Sequence, residues 1–313
     1  MTNSASNNGK ILEAFSGNLA DIVEQASKAI VQINGRRRTS SSGVHWRPGI
    51  IVTTDRFINR DEEIRVTLPE GQTISATLEG RDETRDLAVL KIPETALNTA
   101  NLGDATTLKV GHLVLAIARC QENSISASLG IISSLGESWR TWGGFSIDRS
   151  IRPSLILYPG FSGGPLVDTQ GKVVGINTTV PRHTALTIPN TIVNRIVDQL
   201  LETGNIRYGY LGLGMQPVQL PLVLQQSLNL PDNGGVIVVS VEASSPADKA
   251  GVLIGDILVE LSGTSINDIS DVHSMLGPER VNRPIQAKIV RGGNSIELTI
   301  TVGVRPQRGY RNE

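Results

Sequence analysis

The sequence is poor in cysteine and in aromatic residues, and it has no long apolar run. Its 313 residues include one cysteine, three tryptophans, four tyrosines and four phenylalanines. A single cysteine excludes a disulfide framework and most cysteine-ligated metal sites, and we interpret Cys120 as a small buried hydrophobe. No segment is long and apolar enough to span a bilayer. We therefore predict no membrane span, no metal and no cofactor.

The chain also lacks an excess of charge of either sign. The formal net charge is −1, so the overall charge does not indicate binding to nucleic acid or to an anionic membrane. The densest basic run, residues 36–38, is interpreted as a solvated loop before a Ser-rich turn, and we predict no nucleic-acid partner. The first nine residues have neither the basic region nor the apolar core of a secretory signal. This predicts a cytoplasmic protein, with a periplasmic or other exported location as the alternative if a leader has been removed.

Glycine, by contrast, is frequent, with 32 residues, and favours short strands joined by tight turns over a helical bundle. In residues 64–78, apolar side chains alternate on both sides of the turn sequence "PEGQ", which predicts a β-hairpin. Two segments instead have helical spacing. Residues 11–29 predict an N-terminal helix with one apolar face, and residues 189–204 predict a second helix that ends just before Gly204.

These patterns divide the chain into five parts. The predicted parts are an N-terminal arm (1–28), a first domain rich in strands (29–203), a linker (204–209), a small second domain of strands and short helices (210–304) and a tail (305–313).

The segment "YPGFSGGPLVD", residues 158–168, carries the most informative motif. Ser162 lies in a Gly-rich turn that leads into a strand, and glycines allow backbone N–H groups to converge around a developing oxyanion. Earlier in the chain, Asp86 precedes the apolar segment "LAVLKI", and Arg56 follows the strand-like segment "IIVTTD". The alternative for the motif alone is an ordinary Gly-rich turn.

These three segments resemble trypsin-fold serine proteases of the HtrA/Deg type, whose pattern is close to "IVTNAHVV", "DLAVLKI" and "GNSGGPL". The resemblance implies a mainly β fold, with two six-stranded antiparallel β-barrels followed by a PDZ domain. It assigns Ser162 to the nucleophile and Asp86 to the carboxylate that orients the histidine. It also assigns the N–H groups of Gly160 and Ser162 to the oxyanion hole, and it places Arg56 where the general base belongs.

Arg56 differs from the histidine of the family pattern, and this difference decides the predicted activity. A serine hydroxyl needs a base that titrates near neutral pH, whereas a guanidinium stays protonated and cannot accept the proton. We therefore predict a proteolytically inactive or strongly impaired protein in which Arg56 pairs with Asp86. The alternative is an active serine endopeptidase of protein quality control that uses a non-standard base. His183 is the candidate for such a base.

The remaining histidines, His45, His112 and His273, are interpreted as structural. The specificity pocket is assigned by the same resemblance. Ile156, six residues before Ser162, falls at the pocket floor and would favour small apolar side chains, and the loop of His183 borders this pocket in the family.

Residues 210–304 resemble the PDZ domain of HtrA-type proteins. The turn "YLGL" and the helix near residues 269–276 would form a groove for an extended peptide and its C-terminal carboxylate. The predicted groove residues are Tyr210, Leu211, Gly212, Leu213, Ile269, Val272 and Leu276. A groove that the first domain blocks is the alternative.

The resemblance also implies partners. We expect unfolded proteins or C-terminal peptides as ligands, in a chaperone, scaffold or regulatory role. It further implies a homo-oligomer, a trimer formed through the N-terminal segment, and it leaves open a mixed assembly with an active paralogue.

Overall fold

The computed structural model describes residues 3–36, 39–58, 64–120, 122–136, 139–140, 146–147, 150–180, 184–204, 206, 208–232 and 234–304. His183 and the tail 305–313 lie outside these residues. The chain forms two compact units, Met1–Ile206 and Arg207–Glu313. Among the described helices, none is both long enough and apolar enough to cross a membrane.

The first unit begins with a closed antiparallel barrel, and the predicted hairpin forms part of it. Its strands are β1 (Ile30–Arg36), β2 (Thr39–Arg47), β3 (Ile50–Thr53), β4 (Ile64–Thr67), β5 (Thr73–Asp82) and β6 (Leu87–Lys91), in the order β1-β2-β3-β6-β5-β4. In the hairpin, Ile64 pairs with Ala76 and Val66 with Ile74. These side chains alternate toward one shared apolar core, which is the arrangement that the sequence pattern predicts.

A second closed barrel follows, and with it the predicted double-barrel fold is confirmed. Its strands are β7 (Leu113–Cys120), β8 (Ser124–Leu135), β11 (Ile151–Ser154), β12 (Pro165–Val167), β13 (Val173–Val180) and β14 (Thr184–Pro189), in the order β11-β14-β13-β12-β7-β8. Two short strands, β9 (Trp139–Arg140) and β10 (Ser146–Ile147), pair with each other.

The Ser-rich segment before residue 47 is a strand and not the turn that its composition indicates. Thr39–Arg47 forms β2, which pairs with β1 on one edge and with β3 on the other. Ser41 and Ser42 are fully buried. Because both edges of β2 are paired, its backbone polar groups are satisfied, and the small hydroxyl side chains fit where the two barrels meet.

Two helices complete the first unit. The N-terminal helix α1 (Asn3–Ser27) begins earlier than predicted, and Ile11 and Phe15 are exposed on it. Its last turn is held by the buried Arg119, whose Nη2 donates to the Ser27 carbonyl at 3.0 Å. A cation at this end complements the helix dipole. Helix α2 (Asn190–Thr203) ends at Gly204, which has the left-handed φ of 68° that favours glycine there.

The second unit contains a six-stranded sheet and short helices around its own apolar core. Its elements are β15 (Gly209–Tyr210), β16 (Leu213–Gln219), α3 (Leu222–Ser227), β17 (Gly234–Val241), α4 (Pro246–Lys249), β18 (Ile257–Leu261), β19 (Thr264–Ser265), α5 (Ile269–Ser274), β20 (Pro284–Arg291), β21 (Asn294–Thr301) and β22 (Gly303–Val304). The sheet order is β16-β17-β18-β20-β21, with β19 paired to β18 beside this main order, and it leaves β16 at an edge among the described strands.

Candidate functional site

Arg56 and Asp86 are in direct contact. Arg56 lies in a short 3-10 turn, Asp55–Phe57, that follows β3. Its backbone N–H donates to Asp86 Oδ1 at 2.9 Å, and its Nε donates to Oδ2 at 2.7 Å. Its Nη2 lies 2.6 Å from the same Oδ2. Arg56 therefore holds Asp86 through its main chain and its side chain together, which makes a charge-assisted pair with a fixed geometry.

Thr178 on β13 joins this pair, and sequence reasoning missed it. Its Oγ1 donates to Asp86 Oδ2 at 2.6 Å and accepts from Arg56 Nη2 at 2.5 Å. A threonine in a strand has no sequence signal that would identify this contact. We call Arg56, Asp86 and Thr178 the Arg56 cluster. Because Thr178 belongs to the second barrel, the cluster connects the two barrels.

Neighbouring acidic residues are balanced by arginines of their own. Arg81 Nη1 lies 3.0 Å from Asp55 Oδ1, and Arg85 Nη1 lies 3.2 Å from Asp82 Oδ2. These pairs come from the same end of the first barrel as Asp86. The charge of Asp86 is therefore compensated chiefly by Arg56.

The turn that carries Ser162 is tightly constrained. The Phe161 N–H donates to the Tyr158 carbonyl at 3.1 Å, and Gly160 between them has φ +96°. A proline followed by a left-handed glycine is the sequence that a type II turn requires. Phe161, where the resembling family commonly has asparagine, is 1% exposed and packs in the core of the second barrel. We call residues 158–164 the Ser162 turn.

Two glycines of the Ser162 turn lie against other parts of the protein. A Cβ atom on Gly160 would lie 2.4 Å from the Cβ of Cys120, and one on Gly163 would lie 2.1 Å from the Ser42 carbonyl oxygen. Within the described residues, no acceptor is found for the Gly160 N–H. An N–H group held in this way can donate to the carbonyl oxygen of a bound peptide.

The strands that hold the Ser162 turn also hold the Arg56 cluster. On β3, Thr53 Oγ1 donates to the Ser42 carbonyl at 2.7 Å, and the Ser42 N–H donates to the Ser162 carbonyl at 3.0 Å. On β13, the Asn177 carbonyl accepts from the Gly163 N–H at 2.8 Å, and the next residue is Thr178. The structure thus brings Arg56, Asp86 and Ser162 into one region, as the resemblance implies.

Two of the described histidines of the first unit have structural contacts. His45 is 3% exposed, its Nδ1 lies 3.0 Å from the Asn98 carbonyl, and its Nε2 accepts from the Gly49 N–H at 3.1 Å. His112 is exposed at the start of β7, where Nδ1 accepts from the Lys109 N–H. His273 lies on α5 of the second unit. His183, the candidate base, lies outside the described residues.

Two other candidate positions have environments that limit their chemistry. Ile156 is 62% exposed, so its side chain faces solvent in the described structure and is not enclosed as a pocket floor. Burial raises the pKa of the Cys120 thiol, against a smaller opposing effect of a hydrogen bond with Ser126. A thiol of raised pKa is a poor nucleophile at neutral pH. In the part of the chain that the structure describes, no group of three or more His, Cys, Asp or Glu residues is placed to bind a metal.

Among the described strands of the second unit, β16 has one unpaired edge, beside which the sequence predicts the peptide groove. Gly212 has φ +82°, and its carbonyl accepts from the Glu242 N–H at 2.9 Å. The Tyr210 hydroxyl contacts the Glu242 carboxylate. Leu213 and Ile269 are partly buried and border the core.

Three of the predicted groove residues are part of the core of the second unit. Leu211 is 3% exposed, Val272 0% and Leu276 6%. Helical spacing groups the side chains on one face of α5, but it does not separate those that reach the core from those that border a groove. The three side chains therefore belong to the core and do not form an exposed wall of a groove.

Comparisons with known proteins agree with this architecture. The sequence pattern of the trypsin-like peptidase domain matches residues 41–176, and that of the PDZ domain matches residues 209–302. The "Putative serine protease HhoA" of Synechocystis sp. is 31% identical over 265 residues, which cover 80% of this chain and 67% of that protein. The solved structure "HtrA-type protease AlgW with decapeptide" has a TM-score of 0.77 and 25% identity, and it covers 92% of this chain and 99% of that one.

A further relative corrects the expected location. The "Probable periplasmic serine endoprotease DegP-like" of Chlamydia pneumoniae is 32% identical over 265 residues, which cover 83% of this chain. The chain spans 54% of the length of that relative. The expectation of a cytoplasmic protein is wrong, because the names of such relatives favour an exported compartment.

Proposed function

The chain belongs to the HtrA/DegP-type family of serine proteases, in which a trypsin-like domain is followed by a PDZ domain, and from this premise we propose that it is a member with abolished or strongly impaired proteolysis and retained peptide binding. Its ligands would be unfolded polypeptides or C-terminal peptides. Its role would be that of a chaperone, a scaffold or a regulatory subunit.

The contact between Arg56 and Asp86 carries this proposal. In a serine protease, the aspartate orients a histidine that removes the proton from the serine. Here the aspartate carboxylate is occupied by the main-chain N–H and guanidinium of Arg56 and by the Thr178 hydroxyl. A guanidinium has no lone pair that can accept the proton of Ser162. In subtilisin, loss of the catalytic histidine alone lowers turnover by about a million-fold.

Peptide binding is supported by two other features. The glycines of the Ser162 turn keep a backbone N–H available for a peptide carbonyl, and this does not depend on a base. In the second unit, the free edge of β16 lies beside the left-handed Gly212, an arrangement that can add a peptide as a further strand. The solved relative named with a bound decapeptide is consistent with such a ligand.

Cleavage of an unfolded protein tests the proposal most directly. Casein would be incubated with the wild type, Ser162→Ala and Arg56→His across pH 6 to 9. We expect no fragments from the wild type or from Ser162→Ala, and we expect fragments from Arg56→His because the imidazole restores the base. Arg283→His, at an exposed position of the second unit, is the matched control and should yield none.

Cleavage of casein by the wild type would support a second candidate function, that of an active serine endopeptidase. The intact Ser162 turn and the relatives named as proteases favour an active serine endopeptidase with a non-standard base. Fragments from the wild type that are absent with Ser162→Ala would replace the proposal with this alternative. His183→Ala would then show whether His183 supplies the base.

Self-association through α1 is a separate part of the proposal. Ile11 is 60% exposed, Leu12 67% and Phe15 42%, so the first half of this helix presents apolar side chains that the described chain does not cover. We expect a trimer of the chain, or a mixed trimer with an active paralogue. Light scattering of the wild type and of Ile11→Asp/Phe15→Asp tests the homotrimer, and a monomeric wild type would contradict it.

A further inference from the structure

Ser42 contacts the Ser162 turn through its main chain and its side chain. It lies in β2 of the first barrel and is fully buried. Its N–H donates to the Ser162 carbonyl at 3.0 Å, and its Oγ donates to the Gly160 carbonyl at 2.8 Å. The same Oγ accepts from the Arg119 N–H at 2.9 Å. The Arg119 carbonyl lies farther from this Oγ, at 3.3 Å, so the single hydroxyl proton goes to the shorter contact with the Gly160 carbonyl.

These bonds fix the peptide planes on both sides of the Ser162 N–H. The Gly160 carbonyl belongs to the peptide bond before Phe161, and the Ser162 carbonyl belongs to the peptide bond after Ser162. The N–H of Ser162 lies in the peptide plane between them. The Phe161 carbonyl lies in that same plane and accepts from the Gly164 N–H at 3.0 Å, so this plane has an anchor of its own, and Ser42 anchors the planes on either side of it.

We propose that Ser42 is a positioning residue that holds the Ser162 turn against the first barrel, so that the N–H groups of Gly160 and Ser162 keep their place for a bound peptide. The anchoring comes from β2, and it does not depend on the residue at position 56. The inference rests on the proposed function only in naming a peptide carbonyl as the ligand of these N–H groups.

Ser41, the neighbour of Ser42 on β2, provides a comparison that separates packing from hydrogen bonding. Ser41 is also fully buried in β2, but in the described part of the chain its Oγ has no hydrogen-bond partner. Ser41→Ala and Ser42→Ala therefore remove the same atom from the same depth of the same strand. Only Ser42→Ala removes a bond to the Ser162 turn.

The Gly160 carbonyl can be observed by itself with selective isotope labelling. The sequence has two Gly-Phe peptide bonds, Gly144-Phe145 and Gly160-Phe161. Protein labelled with carbonyl-¹³C glycine and ¹⁵N phenylalanine therefore gives two signals in a carbonyl–amide correlation spectrum. Phe145→Leu removes one of them and assigns the other to Gly160.

We expect Ser42→Ala to shift the Gly160 carbonyl carbon upfield, because that carbonyl loses its hydrogen bond. Ser41→Ala should leave the signal in place, which separates positioning from a general loosening of β2. Ser42→Cys, which replaces the hydroxyl with a slightly larger thiol that donates weakly, should give a smaller shift in the same direction and serves if Ser42→Ala does not fold.

An unchanged Gly160 signal in folded Ser42→Ala or Ser42→Cys overturns the proposal, and so does an equal shift with Ser41→Ala. The outcome is independent of the casein experiment. A wild type that cleaves casein would remove the proposed function and would leave the Gly160 measurement as informative as before.

Discussion

The two units of the chain each hold an aspartate against an arginine, and the two pairs differ in what surrounds them. In the second unit, Arg291 Nε donates to Asp256 Oδ1 at 2.7 Å, and Nη2 donates to Oδ2 at 2.8 Å. The Leu253 N–H also donates to Asp256 Oδ2, at 2.7 Å. The side chain of Asp256 is 1% exposed, whereas that of Asp86 is 15% exposed.

The two pairs differ in the parts of the chain that they connect. The bonds of Asp256 stay within the second unit, where they join the loop at Leu253 to the end of β20. Asp86 is bonded from both barrels, next to the Ser162 turn, where the protease fold uses a histidine. Under the proposed function, Arg56 stands in the place of that histidine and compensates the charge of the partly buried Asp86 carboxylate.

The largest expected effect comes from breaking the more buried pair. Arg291→Ala leaves Asp256 ionised and nearly enclosed, and we expect it to lower the free energy of unfolding of the second unit by about 3 kcal/mol. Urea titration followed by far-ultraviolet circular dichroism measures this loss. Arg283→Ala removes an exposed arginine of the same unit and should change stability by less than about 0.5 kcal/mol. A similar small change for Arg291→Ala would contradict the comparison.

Breaking the pair at the site should cost less. In Arg56→Ala, Asp86 keeps the main-chain N–H of residue 56 and the Thr178 hydroxyl, so we expect a loss of about 2 kcal/mol in the unfolding free energy of the first unit. All three tryptophans, Trp46, Trp139 and Trp142, belong to this unit. Their fluorescence during urea unfolding reports the first unit. A loss larger than that of Arg291→Ala would reverse the comparison.

The smallest effect is a dependence of stability on pH. Burial would raise the pKa of Asp256, but the bonds from Arg291 and the Leu253 N–H outweigh it, and the pKa is lowered overall. A carboxyl whose pKa is lower in the folded state stabilises fully above its unfolded pKa of about 3.9, and this stability is lost as the pH falls through the folded pKa.

We therefore expect the second unit to lose stability as the pH falls below about 4, and Asp256→Asn to lose less over that range. Asp232→Asn, at an exposed position of the same unit, should keep the wild-type pH dependence. Urea titrations between pH 2.5 and 6 compare the three proteins. Equal slopes for wild type and Asp256→Asn would show that Asp256 does not contribute.

Regular elements with a clear apolar period could be predicted from the sequence. The hairpin of β4 and β5 and the helix α2 follow from the positions of apolar residues, of turn residues and of Gly204. The two barrels and the second domain required the resemblance as well, because short strands do not specify their own order around a barrel.

The site could be predicted only in part. Ser162, Asp86 and Arg56 lie in motifs, whereas Thr178 and Ser42 contribute through contacts that are distant in sequence. The Ser-rich segment around Ser42 has the composition of a turn, and only its pairing on both edges makes it a strand. Such contacts depend on tertiary packing, which local pattern does not encode.

The position of the site between the barrels has a consequence for folding. Ser42 and Asp86 come from the first barrel, and Ser162 and Thr178 come from the second, so a ligand bound there requires both barrels to be folded. At a free concentration of one hundred times its Kd, such a ligand adds about 2.7 kcal/mol to the stability of the folded state. If the proposed peptide ligand binds at this site, it would link the two barrels, and the protein would resist unfolding better with the peptide bound than without it.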